Sequence, residues 1–286
     1  MLGTRLLVTA LALPPVAFAA YLGGWPLLVV ALAAVLLGMA ELRDLLGLAE
    51  LQIAWPLAFG AAVCLVLDSF LTTAHLAVPL LTPILVLLVL GSLVWALYLE
   101  VEPRQAVVVW AVTVAAPLYI GLPISLGLAL RARDDTLGQV SLLGTLPTPR
   151  GAVWLLLALG LTWACDGAAY FVGRSLGRHP LHQRISPRKT LEGTAAGIAT
   201  VTVISAIVGP SLGITWLAGA LLGAACGVAA VFGDLAESLI KRASGAKDSG
   251  RLFPGHGGLL DRVDSMFFVI VMVYYGGELA WALGAL

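Results

Sequence analysis

Between Gly233 and Asp264 the chain reads Gly-Asp-Leu-Ala-Glu-Ser-Leu-Ile-Lys-Arg, then Lys247-Asp248, then His256-Gly-Gly-Leu-Leu-Asp-Arg-Val-Asp264. Steps of three and four put Asp234, Glu237 and Lys241 on one helical face. Asp261 and Asp264 stand three apart at the start of the next apolar run. Carboxylates are favourable in an early helical turn, so either acidic pair alone is explained by capping. Two such pairs bracketing Lys241, Arg242, Lys247 and Arg251, pressed against apolar sequence, are harder to explain that way. Charges beside hydrocarbon are expensive and usually functional. A hard divalent cation such as Mg²⁺ accepts carboxylate oxygens and keeps water and substrate phosphate in its shell. Lysine and arginine hold phosphate oxygens. The pattern points to a phosphate-bearing substrate.

Three further stretches carry polar chemistry. His256 lies in Phe-Pro-Gly-His-Gly-Gly, where glycines permit a tight turn and close backbone approach to a ligand, and where amides can form an anion-binding nest. The bland alternative is a connector with a satisfied histidine. Asp166 sits inside the apolar run Leu161–Phe171, so it should face a polar cleft with a partner, structural or catalytic. Ser186-Pro-Arg188-Lys189-Thr190 suits a phosphate-contacting loop that Glu192 anchors, the bland alternative being a plain surface loop. No GxxxxGK[ST] or GxGxxG is present, so neither nucleotide signature applies.

The elements that must hold these residues are membrane helices. Of 286 residues, 60% are hydrophobic and 11% charged, and the mean hydropathy is +1.00. Such a chain lacks the polar surface to cover a water-soluble globule. The balance of 16 Lys+Arg against 16 Asp+Glu exerts no global pull toward nucleic acid. Cys64, Cys165 and Cys226 all lie in apolar stretches and form no disulfide framework or metal-spacing motif. Apolar runs at 6–21, 25–40, 52–70, 79–99, 105–123, 151–172, 194–210, 213–233 and 265–284 predict about nine spans. Unsatisfied backbone is too costly in lipid for these to be anything but helices. The expected fold is an all-α polytopic membrane protein, with 1–130 as N-terminal helices and 131–286 as the catalytic region. Ala17-Phe18-Ala19 after Arg5 has the form of a signal-peptide cleavage site, but the many spans that follow favour a first membrane helix bent at Pro14-Pro15.

The loops at 173–193 and 234–264 each carry five Lys/Arg residues and are separated by two uncharged helices, so both face one side. The positive-inside tendency makes that side cytoplasmic. Arg131, Arg133 and Arg150 then fall opposite, a mild conflict. Gly219, Gly223 and Gly227 repeat at a spacing of four, a face that lets another helix approach closely, within the chain or across a dimer.

The run Ser238-Leu-Ile-Lys241-Arg242-Ala-Ser-Gly-Ala-Lys247-Asp248-Ser-Gly250-Arg-Leu-Phe253-Pro254-Gly-His256-Gly257-Gly258-Leu-Leu-Asp261-Arg262-Val-Asp264 resembles the 27-residue signature of phosphatidate cytidylyltransferases, the CDP-diacylglycerol synthases. Asp166-Gly-Ala-Ala-Tyr170-Phe-Val-Gly173-Arg and Ser186–Gly193 resemble other blocks of that family, with Arg188 where lysine is more usual. The specific resemblance covers about 161–264. It implies a dimeric integral membrane enzyme that uses CTP and phosphatidic acid, with Mg²⁺ and a monovalent cation such as K⁺ close by; the composition and short loops suggest a bacterial inner membrane. Carried onto this chain, it makes Asp234 and Asp261 the metal-ligand candidates, with Asp166, Glu237 and Asp264 as supporting acids. Lys241, Arg242, Lys247 and Arg262 are expected to grip the two anionic substrates, with Ser186, Arg188, Lys189 and Asp248 beside them and His256 orienting phosphate. The active site is expected at the cytoplasmic ends of the C-terminal helices. Two rival readings are a cytidylyltransferase for another lipid phosphate and a membrane transporter, the latter disfavoured by the lack of inverted repeats.

Overall fold

The computed structural model describes residues 14–49, 53–133, 139–142, 146–250 and 257–282. They form two compact units, Met1–Ala132 with Ala243–Asp261, and Arg133–Arg242 with Arg262–Leu286.

In the first unit a helical stretch at 14–22 precedes four helices, α1 (Gly24–Leu48), α2 (Trp55–Thr73), α3 (Leu81–Leu97) and α4 (Pro103–Arg131). Gly23, at φ 68°, makes the corner between the stretch and α1, a backbone region that glycine enters without a Cβ penalty. Residues 14–22 and α1 are therefore separate helical pieces. The carbonyls that end the first piece are met by a buried cation: Arg131 donates from Nε to Ala20 O and from Nη2 to Tyr21 O, each at 2.7 Å. The backbone N–H of Ala54, just before α2, donates to Thr113 Oγ1 of α4 at 3.3 Å.

The second unit opens with an antiparallel pair, β1 (Gln139–Leu142) and β2 (Leu146–Pro149), and continues into α5 (Arg150–Leu176). A second pair, β3 (Pro180–His182) and β4 (Ser186–Thr190), leads into α6 (Leu191–Val208). A 3₁₀ turn (Gly209–Leu212), α7 (Trp216–Ala243) and α8 (Leu260–Ala282) complete the chain's described elements, α8 starting on the last two residues of the first unit. Thr190 caps α6, its Oγ1 accepting from Gly193 N at 3.2 Å. The glycine repeat on α7 packs against α6 of the same chain. A Cβ at Gly219 or Gly223 would overlap the carbonyl oxygen of Ser205 or Val201, and one at Gly227 would lie 2.9 Å from Ile198 Cα. Such proximity is open only to a residue without a side chain, and it settles the within-chain reading of this face.

Among the described residues seven helices are long and apolar enough to cross a membrane. With about 20 residues needed per span, this is an integral membrane protein. Seven of the nine predicted runs fall on those helices. The predicted run 79–99 becomes α3, 17 residues long, and ~25 Å of helix falls short of a ~30 Å hydrocarbon core if untilted. The run at 6–21 lies partly outside the described residues. Observed helices also outrun the apolar sequence, because backbone hydrogen bonding continues where hydropathy stops. Accordingly α8 starts at Leu260, placing Asp261 and Asp264 within it.

Candidate active site

Three helices of the second unit each contribute one carboxylate to a common electrostatic neighbourhood. Asp166 stands ten residues before the end of α5, Asp234 nine before the end of α7, and Asp264 five residues into α8. Asp264 senses the charges of Asp234, Asp166 and Lys189, and Asp166 those of Asp234, Lys189 and Arg262. The approach of α7 to α8 that makes this possible runs through Gly233, where a Cβ would lie 2.8 Å from Asp264 O and Ser265 Cα. Asp264 is buried and Asp234 half-buried, whereas Asp166 and Arg262 are exposed. Lys189 and Arg262 are the cations among the charges that act on Asp166.

Lys189 is the cation at the centre of the group. Its Nζ donates to Asp234 Oδ2, and Ser238 Oγ donates to Oδ1 of the same carboxylate at 3.4 Å. What positions Lys189 is β4. The stretch 186–190, expected as a surface loop, is instead a strand paired with β3, in the register Pro180↔Thr190 and His182↔Ser186. Its geometry is fixed at one end by the Thr190 cap on α6. Glu192 does the anchoring expected of it, accepting from the backbone N–H groups of Arg178 and His179 at 3.1 and 3.3 Å and pairing with His179 Nδ1 at 2.6 Å. Arg188 is exposed next to Lys189, and Ser186 is half-buried.

One turn beyond Asp234, Glu237 is 1% exposed and forms an ion pair with Lys241, four residues on. The shared face read from the sequence is therefore real, and much of Lys241's charge is answered by Glu237. Arg242 is exposed, with Nε 3.4 Å from the carbonyl of Ile185.

The remaining candidates belong to the first unit. Asp261 Oδ2 accepts from the backbone N–H groups of Ser249 and Gly258, both at 2.8 Å, and from Ser249 Oγ at 2.9 Å. Gly257, at φ 81°, turns the chain beneath this carboxylate, and a Cβ there would overlap Asp261 Oδ2. Lys247 and Asp248 are exposed. His256 lies outside the described residues.

Sequence reasoning passed over Glu41. This residue of α1 accepts from Leu259 N at 2.7 Å and Leu260 N at 2.9 Å, and its Oε2 lies 3.1 Å from Ser249 Oγ. The available signal was an acid at the polar end of an otherwise apolar helix, in Gly38-Met-Ala-Glu-Leu-Arg-Asp.

The carboxylates of the second unit have donor chemistry that fits a hard divalent cation. Asp166, Asp234 and Asp264 repel one another, and a dication relieves that repulsion. Among the described residues no three His, Cys, Asp or Glu side chains converge into a closed metal cage. Mg²⁺ does not demand one, since it is commonly held by one or two carboxylates plus water and substrate phosphates. Lys189 and Arg262 stand as counter-charges to these carboxylates.

Three relatives and one family model bear on the assignment. A phosphatidate cytidylyltransferase of Synechocystis sp. is 34% identical over 272 residues, 89% of each chain. One of Bacillus subtilis is 42% identical over 127 residues, covering 44% of this chain and 47% of its own. One of Haemophilus influenzae is 40% identical over 131 residues, 44% of this chain and 46% of its own. The model of the cytidylyltransferase family matches residues 3–279, a range that takes in α1 and its Glu41 as well as the acids of α5, α7 and α8. On a match of that extent, the chain belongs to the cytidylyltransferase family.

Proposed function

We propose that this chain is a phosphatidate cytidylyltransferase, joining CMP from CTP to phosphatidic acid to give CDP-diacylglycerol and pyrophosphate. The observation that carries the chemistry is the Lys189–Asp234 ion pair between β4 and α7, with the start of α8 and its Asp264 drawn close to α7 at Gly233. A phosphate oxygen of the lipid attacks the α-phosphorus of CTP in line. The new P–O bond forms as the bond to the β-phosphate oxygen breaks, and the electron pair leaves with pyrophosphate.

Phosphatidate is already ionised, so no strong general base is needed, and the task is to bring two polyanions together. Orientation and fixed charge therefore carry most of the rate. Arg188, Arg242 and Arg262, all exposed in the second unit, are suited to meeting a dissolved triphosphate. Lys189, held on Asp234, lowers the charge of the acidic group. Asp234 is the proposed metal ligand of the second unit, with Asp264 and Glu237 supporting it. Bound Mg²⁺ supplies charge neutralisation at the phosphates and the leaving group, and a monovalent cation such as K⁺ is proposed nearby. Asp261, whose Oδ2 accepts from the amides of Ser249 and Gly258, is also proposed as a metal ligand. Lys247 and Asp248 lie exposed on its loop, and His256 is proposed to orient phosphate. The setting proposed is the bacterial inner membrane, with these residues on the cytoplasmic side and the protein as a homodimer.

The test is purified protein in lipid nanodiscs with CTP, phosphatidate and Mg²⁺, following pyrophosphate release and CDP-diacylglycerol together. Stoichiometric products that require all three components are expected. Turnover with an ether- or isoprenoid-based lipid phosphate but not with phosphatidate would reassign the acceptor, and no turnover with any of them would remove the enzyme reading.

A further inference from the structure

Helix α8 is preceded by a residue that cannot cap it. Leu259 stands just before its first residue, and a leucine side chain cannot accept from the amides that open a helix. The acceptor comes from 218 positions earlier. Glu41 takes Leu259 N on Oε1 and Leu260 N on Oε2, so each oxygen of one carboxylate serves a different amide. Oε2 also lies 3.1 Å from Ser249 Oγ. That hydroxyl is 2.9 Å from Asp261 Oδ2 and accepts from Asp261 N at 3.2 Å. A hydroxyl carries one proton, so Ser249 links the two carboxylates through a single shared donor. The backbone is wrapped onto Glu41: a Cβ at Gly258 would overlap Oε2, and one at Gly250 would lie 2.8 Å from Oε1. All of these groups belong to the first unit.

We propose that Glu41 is a positioning residue for the transfer reaction. It fixes the Gly258-Leu259-Leu260 entry to α8 and, through Ser249, the orientation of the Asp261 carboxylate. The proposal rests on the reading of Asp261 as a metal ligand. The charge and shape of Glu41 are both required, since it meets three donors and offers none. A glutamine would present an N–H to an N–H at one of the two amides. The negative carboxylate also complements the positive end of the α8 dipole. Groups that orient metal ligands typically contribute 10–100-fold to metal affinity, and that is the scale expected here.

The experiment uses the full chain in nanodiscs, comparing wild type with Glu41→Gln, Glu41→Ala, Ser249→Ala and, as control, Asp44→Asn on the same helix. Hydrogen exchange without metal or substrate should quicken at Leu259 and Leu260 in both Glu41 variants, with α5 and α6 unchanged. The Mg²⁺ concentration for half-maximal pyrophosphate release should rise about 10–100-fold, with kcat at saturating Mg²⁺ within a few-fold of wild type. Ser249→Ala should shift the Mg²⁺ requirement in the same direction, and Asp44→Asn should change neither readout. Unchanged exchange at the two amides overturns the proposal. Faster exchange with an unchanged Mg²⁺ requirement overturns it too, leaving Glu41 a cap and nothing more. Because exchange is read without metal, failure of the Asp261 assignment is distinguishable: Asp261→Asn would then keep its Mg²⁺ response while the Glu41 variants still loosened Leu259 and Leu260.

Discussion

A carboxylate near hydrocarbon has to be matched by something, and the partners found here are of two kinds. Asp234 is matched by the lysine of a neighbouring strand, Asp261 by amides and a hydroxyl. The difference has a consequence for mutation. Asp261→Asn preserves shape, and an amide can still accept from Ser249 and Gly258 through its oxygen, so the protein should insert and fold. Its Mg²⁺-dependent turnover should nevertheless vanish, because a neutral amide binds a hard dication poorly. Near-normal turnover at saturating Mg²⁺ in purified Asp261→Asn protein would remove that role. The types and spacing of Asp234, Glu237, Asp261 and Asp264 were legible in the chain because each has another acid three residues away. Glu41 was not, because nothing local links it to Leu259 and Leu260.

At the level of elements, α7 does two jobs along its length. Its first half is a glycine face packed on α6, and its second half carries Asp234, Glu237 and Lys241. The first job sets the second, since a helix held within backbone contact of its neighbour cannot rotate to carry its acids elsewhere. Gly223→Leu would force a side chain into the carbonyl of Val201, which backbone cannot vacate cheaply. A loss of about 3 kcal/mol is expected, read as a lower unfolding midpoint in detergent, together with loss of turnover. A Gly223→Leu protein as stable as wild type would show that the close approach is dispensable. The repeat itself was plain in the sequence. Which helix it faced was not, because a small-residue face specifies close approach without naming the partner. The strand character of 186–190 was hidden for a related reason: five residues with a proline carry little periodicity, and the pairing with 180–182 is a matter of what lies opposite.

Across the whole chain, charge placement separates two ends of α8. Asp264 lies near its start, while Glu278, ~21 Å further along, pairs with Arg133, whose guanidinium also sits 4.8 Å from the centre of the Tyr274 ring. Arg131 is likewise spent on the carbonyls of Ala20 and Tyr21. Two of the arginines that strained the positive-inside reading are thereby accounted for as packing groups. Single cysteines placed at 180 and at 245, in a background lacking the native cysteines, should react with an impermeant reagent from the same, cytoplasmic face of sealed vesicles. Labelling from opposite faces would break the common sidedness of the two basic loops. By itself the sequence determined that this is a membrane protein, roughly where its helices run, and which signature residues are the candidates for the chemistry. Hydropathy and acid spacing are properties of contiguous residues and survive without a fold. The tertiary structure alone decided that Lys189 answers Asp234, that α6 receives the glycine face, and that Glu41 closes the start of α8. Each of those is a meeting of residues distant along the chain, and only packing brings such residues within hydrogen-bond reach.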